Sequence, residues 1–262
     1  VNPHIDDGGS SAVRLQNPFS FFGHTYSQIY VNNNGYLTFD QSWKNYTPIQ
    51  FNVYSGRDVI APLWTDIDNR ANGVISYNQY SNGSVLSQAT RDINQYFPGV
   101  NFNASWVFVA TWDRVAYFNY SGTETSFQVV LISSGHASFV LMNYGPIAPT
   151  NKPLAAGYAT DGTDWFTILW SNVSDHVNFS NLSNMSNVNV SGRWAFGVNG
   201  RPRDSTTKDT IRAVRLKLTT SLNIKDNNNK TIILQHLQDE LRRRGTPANV
   251  RVKLTCIQKK RP

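Results

Sequence analysis

Short runs of β-branched and aromatic residues, separated by Gly, Asn and Pro, set the rhythm of the first 200 residues. In Gln28–Thr38, two β-prone segments flank Asn34-Gly35. That dipeptide is the strongest short hairpin signal, because both residues tolerate the positive φ of a tight turn. A second hairpin is expected from Val74–Tyr77 through Asn82-Gly83 to Val85 onward. Ala104–Phe118, Phe127–Ser133, Ala137–Tyr144, Phe166–Trp170 and Trp194–Val198 are further strand-like runs. Many short strands at this spacing predict a mainly β fold, an antiparallel sandwich or barrel. One helix interrupts them. Leu86, Ala89, Ile93 and Tyr96/Phe97 share a helical face, and Pro98-Gly99 ends it.

After Gly200 the pattern changes. Ile211–Leu218 alternates apolar and basic residues, as a half-buried strand does. Asn227-Asn228-Asn229 can cap a helix running to about Arg244, with Gly245 as its stop. Val250, Val252 and Leu254 alternate again in a second strand. The expected organisation is a flexible arm over 1–15, a β domain over 16–200, a linker over 201–210 and a small basic β-α-β unit over 211–262. A unit of this size is too small to bury its sheet alone. It is expected to pack on the body, pair with a second copy, or belong to a larger domain.

Charge divides the chain at the same place. Residues 1–200 carry 8 Lys+Arg against 12 Asp+Glu, and residues 201–262 carry 16 against 5. The net +7 therefore belongs entirely to the last quarter. Arg212, Arg215, Lys217, Arg242, Arg243, Arg244, Arg251 and Lys253 form a candidate polyanion-binding set, acting through their field and counterion release. The competing readings are a solvated face and, at Lys259-Lys260-Arg261, a proteolytic processing site.

The longest apolar runs are far too short to span a bilayer. The Val1 start reads as a mature form whose leader has been removed. Asn-x-Ser/Thr occurs at Asn45, Asn82, Asn103, Asn119, Asn172, Asn178, Asn181, Asn184, Asn189 and Asn229. Ten sequons are twice the roughly five that composition alone supplies, which reads as the surface of a secreted glycoprotein. The chain has one cysteine, Cys256, so no intramolecular disulfide is possible and Cys256 is a candidate for an interchain bridge in a homodimer.

Candidate chemistry is sparse. Asp66, Asp68 and Asn69 offer oxygen ligands for a Ca²⁺, but the spacing is short and no bidentate Glu follows. The alternative has these side chains capping turns. His4, His24, His136, His176 and His236 are widely spaced, with no cysteine–histidine cluster to hold a structural zinc. No G-x-S-x-G elbow is present, and no enzyme activity and no resident cofactor are expected. Trp43, Tyr46, Tyr54, Tyr80, Trp165 and Trp170 sit near expected loops, where aromatics either stack on sugars or fill the rims of the core.

Five segments carry a family resemblance: FSFFGHTYSQIYVNNNGYLTF, RDVIAPLWTDIDNRANGVISYNQY, INQYFPGVNFNASWVFVATWDRVAYF, TSFQVVLISSGHASFVLMNYG and GRWAFGVNG. In this order and spacing, Phe19–Gly200 resembles the NIDO module, the nidogen-like extracellular domain. The resemblance implies a secreted or ectodomain β-rich fold without known catalytic activity, in a matrix, adhesion or mucosal setting. Family members usually sit among cysteine-rich modules, and nothing cysteine-rich follows here. The basic unit carries no recognised resemblance.

The function expected is that of a secreted adhesion or matrix-interaction glycoprotein whose basic unit binds polyanions or self-associates. Its partners would be extracellular glycans or matrix proteins, not nucleic acid. The alternative is a soluble carrier or lectin that binds a small ligand or glycan in the β domain.

Overall fold

A computed structural model describes residues 1–52, 56–161, 164–171, 179–199 and 232–239. The chain runs β1 (Val13–Phe21), β2 (His24–Asn32), β3 (Tyr36–Thr38), β4 (Val59–Trp64), β5 (Ile67–Asp68) and β6 (Val74–Tyr80). Then come α1 (Ser84–Tyr96), β7 (Trp106–Tyr117), β8 (Tyr120–Ser133), β9 (Ser138–Tyr144), β10 (Leu154–Ala159) and β11 (Trp165–Ser171). A 3₁₀ turn at Phe179–Ser183 precedes β12 (Arg193–Gly197). Residues 232–239 are helical, inside the span expected for the helix of the basic unit.

The strands form two antiparallel sheets, β1-β2-β3-β4-β10-β11 and β12-β9-β8-β7-β5, with β6 also paired to β7. Period-two alternation decides what each strand faces. On β7, Trp106, Phe108, Ala110 and Trp112 enter the core between the sheets, while Val107 and Val109 face the other way. Phe127, Val129 and Leu131 on β8, and Trp194 and Phe196 on β12, do the same.

Both outer faces are covered. Ala89 and Ile93 of α1 pack on Val107, Ile132, Leu141 and Ala195 of the second sheet. The Arg193 guanidinium donates to Asp92 of the helix at 3.0 Å and ties it to β12. On the first sheet, Trp43, Ile49 and Phe51 pack with Tyr36, Val59, Trp64 and Ala155.

Two expectations need correction. The Asn82-Gly83 hairpin does not form. β6 pairs with β7 across Tyr77 and Ala110, and Gly83 (φ +86°) leads directly into α1. The 3.6-residue period of Leu86, Ala89 and Ile93 outweighs the turn dipeptide. The second correction concerns the opening residues, whose Gly/Ser content reads as a loose arm. The Asn2 side chain is buried and donates to Val31 O and Asn33 Oδ1, both at 2.7 Å. Gly9 forms an isolated bridge to Asn32, and Ser10 Oγ accepts from the Val31 N–H at 3.0 Å.

The expected hairpin at Asn34-Gly35 does form, with a three-residue loop, since Asn32 pairs with Tyr36. Asn32, Asn33 and Asn34 are fully buried. Asn32 Oδ1 accepts from the Trp43 N–H at 2.7 Å, Asn33 Nδ2 donates to Ile5 O at 2.8 Å, and Asn34 Oδ1 accepts from the Ile67 N–H at 2.9 Å. The turn is thus a hub that joins the outer-face cover, the N-terminal arm and the β5 segment.

Candidate functional site

Two clusters of ionisable groups stand out among the described residues, and each has three members whose ligand atoms lie within 4.8 Å of one another. The first gathers Asp6 and Asp7 of the arm with Asp66, which precedes β5. Asp68 and Asn69 are engaged elsewhere, so the sequence-predicted set of Asp66, Asp68 and Asn69 is not brought together as one ligand shell. Arg70 grips Asp68 through two side-chain hydrogen bonds of 2.8 Å. That charge-assisted pair holds the Asp68 carboxyl below its usual range. Asn69 Nδ2 donates to Pro3 O at 3.1 Å, and its Oδ1 accepts from Asn33. Asp66 is bonded by Lys152 at 2.9 Å. Within the cluster, Asp6 Oδ1 is buried without a hydrogen-bond partner. Desolvation, with neighbouring Asp7, pushes the Asp6 carboxyl above its ordinary value despite Arg70 at 3.1 Å.

The second cluster was not visible in the sequence. His24 opens β2, Asp58 precedes β4, and Asp161 follows β10. His24 Nδ1 lies 3.1 Å from Asp58 Oδ2 and 3.9 Å from Asp161 Oδ1. The Tyr26 hydroxyl donates to Asp58 Oδ2 at 2.6 Å, and the Asp161 N–H donates to Asp58 Oδ1 at 2.8 Å. The Asp58 hydrogen bond raises the His24 pKa. Burial and Asp58 together keep Tyr26 protonated, so it acts as a donor. Tyr26, Asp58 and Asp161 border a cleft of about 160 Å³ that also touches Phe39, Asp40 and Arg57. A second cleft, of about 220 Å³, lies at Asn72, Asp113, Arg114 and Glu124. Both are smaller than the roughly 300–1,000 Å³ typical of small-molecule sites.

The candidate aromatics are mostly structural. Trp43, Trp165 and Trp170 are half-buried against the first sheet's outer face, and Arg57 lies 4.7 Å over the Trp43 ring. Tyr80 packs beside α1. Tyr46 is exposed, and Tyr54 lies outside the described residues.

Of the sequon asparagines, Asn82, Asn103, Asn119, Asn181, Asn184 and Asn189 are exposed and Asn45 is half-buried. Asn172, Asn178 and Asn229 lie outside the described residues. So do Arg212, Arg215, Lys217, Arg242, Arg243, Arg244, Arg251, Lys253 and Cys256.

Two antiparallel sheets packed face to face, with an aromatic core and with covers on both outer faces, define the class as a β-sandwich module. The profile of the nidogen-like domain family, NIDO, matches residues 27–200, more than half of the chain, and the chain belongs to that family. Alpha-tectorin of Mus musculus is 36% identical over 233 residues, which covers 82% of this chain and 11% of that protein. Alpha-tectorin of Homo sapiens gives the same figures. Nidogen-2 of Mus musculus is 27% identical over 230 residues, covering 76% of this chain and 16% of its own length. The chain thus spans about a tenth of the alpha-tectorins. Residues 1–200 amount to less than 82% of the chain, so the alpha-tectorin similarity runs past residue 200. No solved structure matches significantly.

Proposed function

We propose that this chain is an extracellular, non-catalytic matrix-interaction glycoprotein. In this reading the NIDO sandwich is the scaffold, and the segment after residue 200 makes the contacts, with polyanions or with a second copy. The observation that carries the proposal is the charge division: a mildly acidic NIDO body followed by a segment with 16 Lys+Arg against 5 Asp+Glu. A basic segment of this density attracts sulfated or carboxylated glycans through long-range field and counterion release. The relatives support the setting, since alpha-tectorins and nidogens are extracellular matrix proteins. No helix among the described residues is long and apolar enough to cross a membrane.

Heparin-column elution of the full chain tests the contact. Arg242→Glu, Arg243→Glu and Arg244→Glu combined should lower the salt needed for elution substantially. Equal elution of both proteins would sink polyanion contact through this segment. Non-reducing and reducing gels of native material test the Cys256 dimer, and an unchanged monomer mass would exclude it.

A further inference from the structure

We propose that His24, Asp58 and Asp161 form a binding site for a divalent cation of the zinc class, at the His24 end of the first sheet. The site exists because β3 is short. Of β2, only Tyr30–Asn32 pair with it, so among the described residues the first half of β2 has no strand partner on that side. The notch so left is the cleft bordered by Tyr26, Phe39, Asp58 and Asp161. His24 and Tyr26 are two residues apart on one strand and share a face. Both reach Asp58, with Tyr26 braced by stacking on Phe39 at 4.2 Å between ring centroids.

The donor set suits such an ion. Zinc binds imidazole nitrogen and carboxylate oxygen at about 2.0–2.2 Å, which sets neighbouring ligand atoms of a tetrahedron about 3.3–3.6 Å apart. The two separations from His24 Nδ1, 3.1 and 3.9 Å, bracket that value. Imidazole also argues against Ca²⁺, which takes six to eight oxygens.

Preorganisation is already present. The Asp58 side chain is only 2% exposed. The Tyr26 hydroxyl and the Asp161 N–H fix its two oxygens, as outer partners orient the ligands of metal sites. His24 and Asp161 are about half exposed, which leaves a coordination position open to water. Charge favours the ion too. Among the described residues, the one cationic group within salt-bridge distance of Asp58 or Asp161 is His24 itself. Arg57 is instead paired with Asp40 at 3.5 Å. A divalent cation would neutralise both carboxylates.

The test is calorimetric titration of the full chain with ZnCl₂, beside CaCl₂ and the variants His24→Gln and Asp161→Asn. Both altered side chains are exposed enough for the fold to persist, which far-UV circular dichroism checks. The expected result is one Zn²⁺ per chain, with affinity weakened at least about tenfold in each variant. Absence of Zn²⁺ binding by the unaltered chain overturns the proposal. So does Zn²⁺ binding that keeps its affinity in either variant, and so does binding of Ca²⁺ alone.

Discussion

The indole N–H of Trp112 donates to the backbone carbonyl of Asn33 at 3.1 Å, fully inside the molecule. Trp112 lies on β7 of the second sheet, and Asn33 lies in the β2–β3 turn of the first. The bond therefore joins the two sheets at the hub that also holds the N-terminal arm. Trp112 is further fixed by stacking on Phe127, with centroids 5.0 Å apart. Trp112→Phe keeps an aromatic ring in the core but leaves a buried acceptor without its donor. It should cost about 1–3 kcal/mol, read as a lower urea midpoint with an unchanged slope. An unchanged midpoint would mean that the turn is held by its asparagine side chains alone.

Gly35 and Gly135 have the same φ of +85°, yet they should respond differently to alanine. At Gly35 a Cβ would lie 1.8 Å from the Leu63 carbonyl oxygen, backbone that cannot move aside without disturbing β4. At Gly135 there is nothing within 4 Å. Gly135→Ala bears only the left-handed backbone penalty, about 1–2 kcal/mol. Gly35→Ala adds the clash and should exceed about 3 kcal/mol or prevent folding. Parallel thermal melts decide, and equal losses would refute the close approach.

The same turn shows where sequence patterns are informative. Asn34-Gly35 encodes a hairpin through local backbone preference, and β7, β8 and β12 announce themselves by alternation, because both signals lie within a few residues. Nothing local says that Asn33 will bond the arm at Ile5, or that Asp66 will meet Asp6 and Asp7 rather than Asp68. Asp66 and Asp68 do not share one strand, because β5 has only two residues and Asp66 lies outside it. His24, Asp58 and Asp161 come from three separate strand ends, 34 and 103 residues apart, and only the sheet order brings them together. A histidine followed two positions later by tyrosine on an expected strand was the one local hint, and it is too common to act on.

Two aspartates near the arm should shift acid stability in opposite directions. Asp68, held by Arg70, has its folded pKa below the ordinary value of 3.8. Its stabilisation is present above that value and is lost as pH falls through the folded pKa. Asp68→Asn should lower Tm at neutral pH, with the gap to the unaltered chain closing in strong acid. Asp6 is the reverse, because burial raises its folded pKa above 3.8. Its carboxyl is most compatible with the fold below 3.8, and stability is lost as pH rises through the folded pKa. Asp6→Asn should therefore raise Tm at neutral pH and change little below that window. Melts across pH 2–7 check both signs, and a lower neutral Tm for Asp6→Asn would show that its Arg70 contact outweighs desolvation.

Sequon exposure makes the extracellular reading testable site by site. Asn82 lies between β6 and α1, Asn103 precedes β7, and Asn119 occupies the β7–β8 turn at φ +62°. All three are exposed, so a bulky glycan there meets solvent rather than core. Asn45 differs. Its Oδ1 accepts the Thr47 N–H at 3.0 Å, and its carbonyl accepts from both Tyr36 and Trp64. The side chain is half-buried in a segment clamped to the first sheet, so the transferase must reach it before folding closes that face. Enzymatic deglycosylation of secreted material in ¹⁸O water, followed by peptide mass mapping, reads occupancy directly. High occupancy is expected at Asn82, Asn103 and Asn119, with lower occupancy at Asn45. Secreted chains unmodified at every exposed sequon would remove the glycoprotein part of the proposal. Full occupancy at Asn45 would show that glycan transfer precedes docking of its segment.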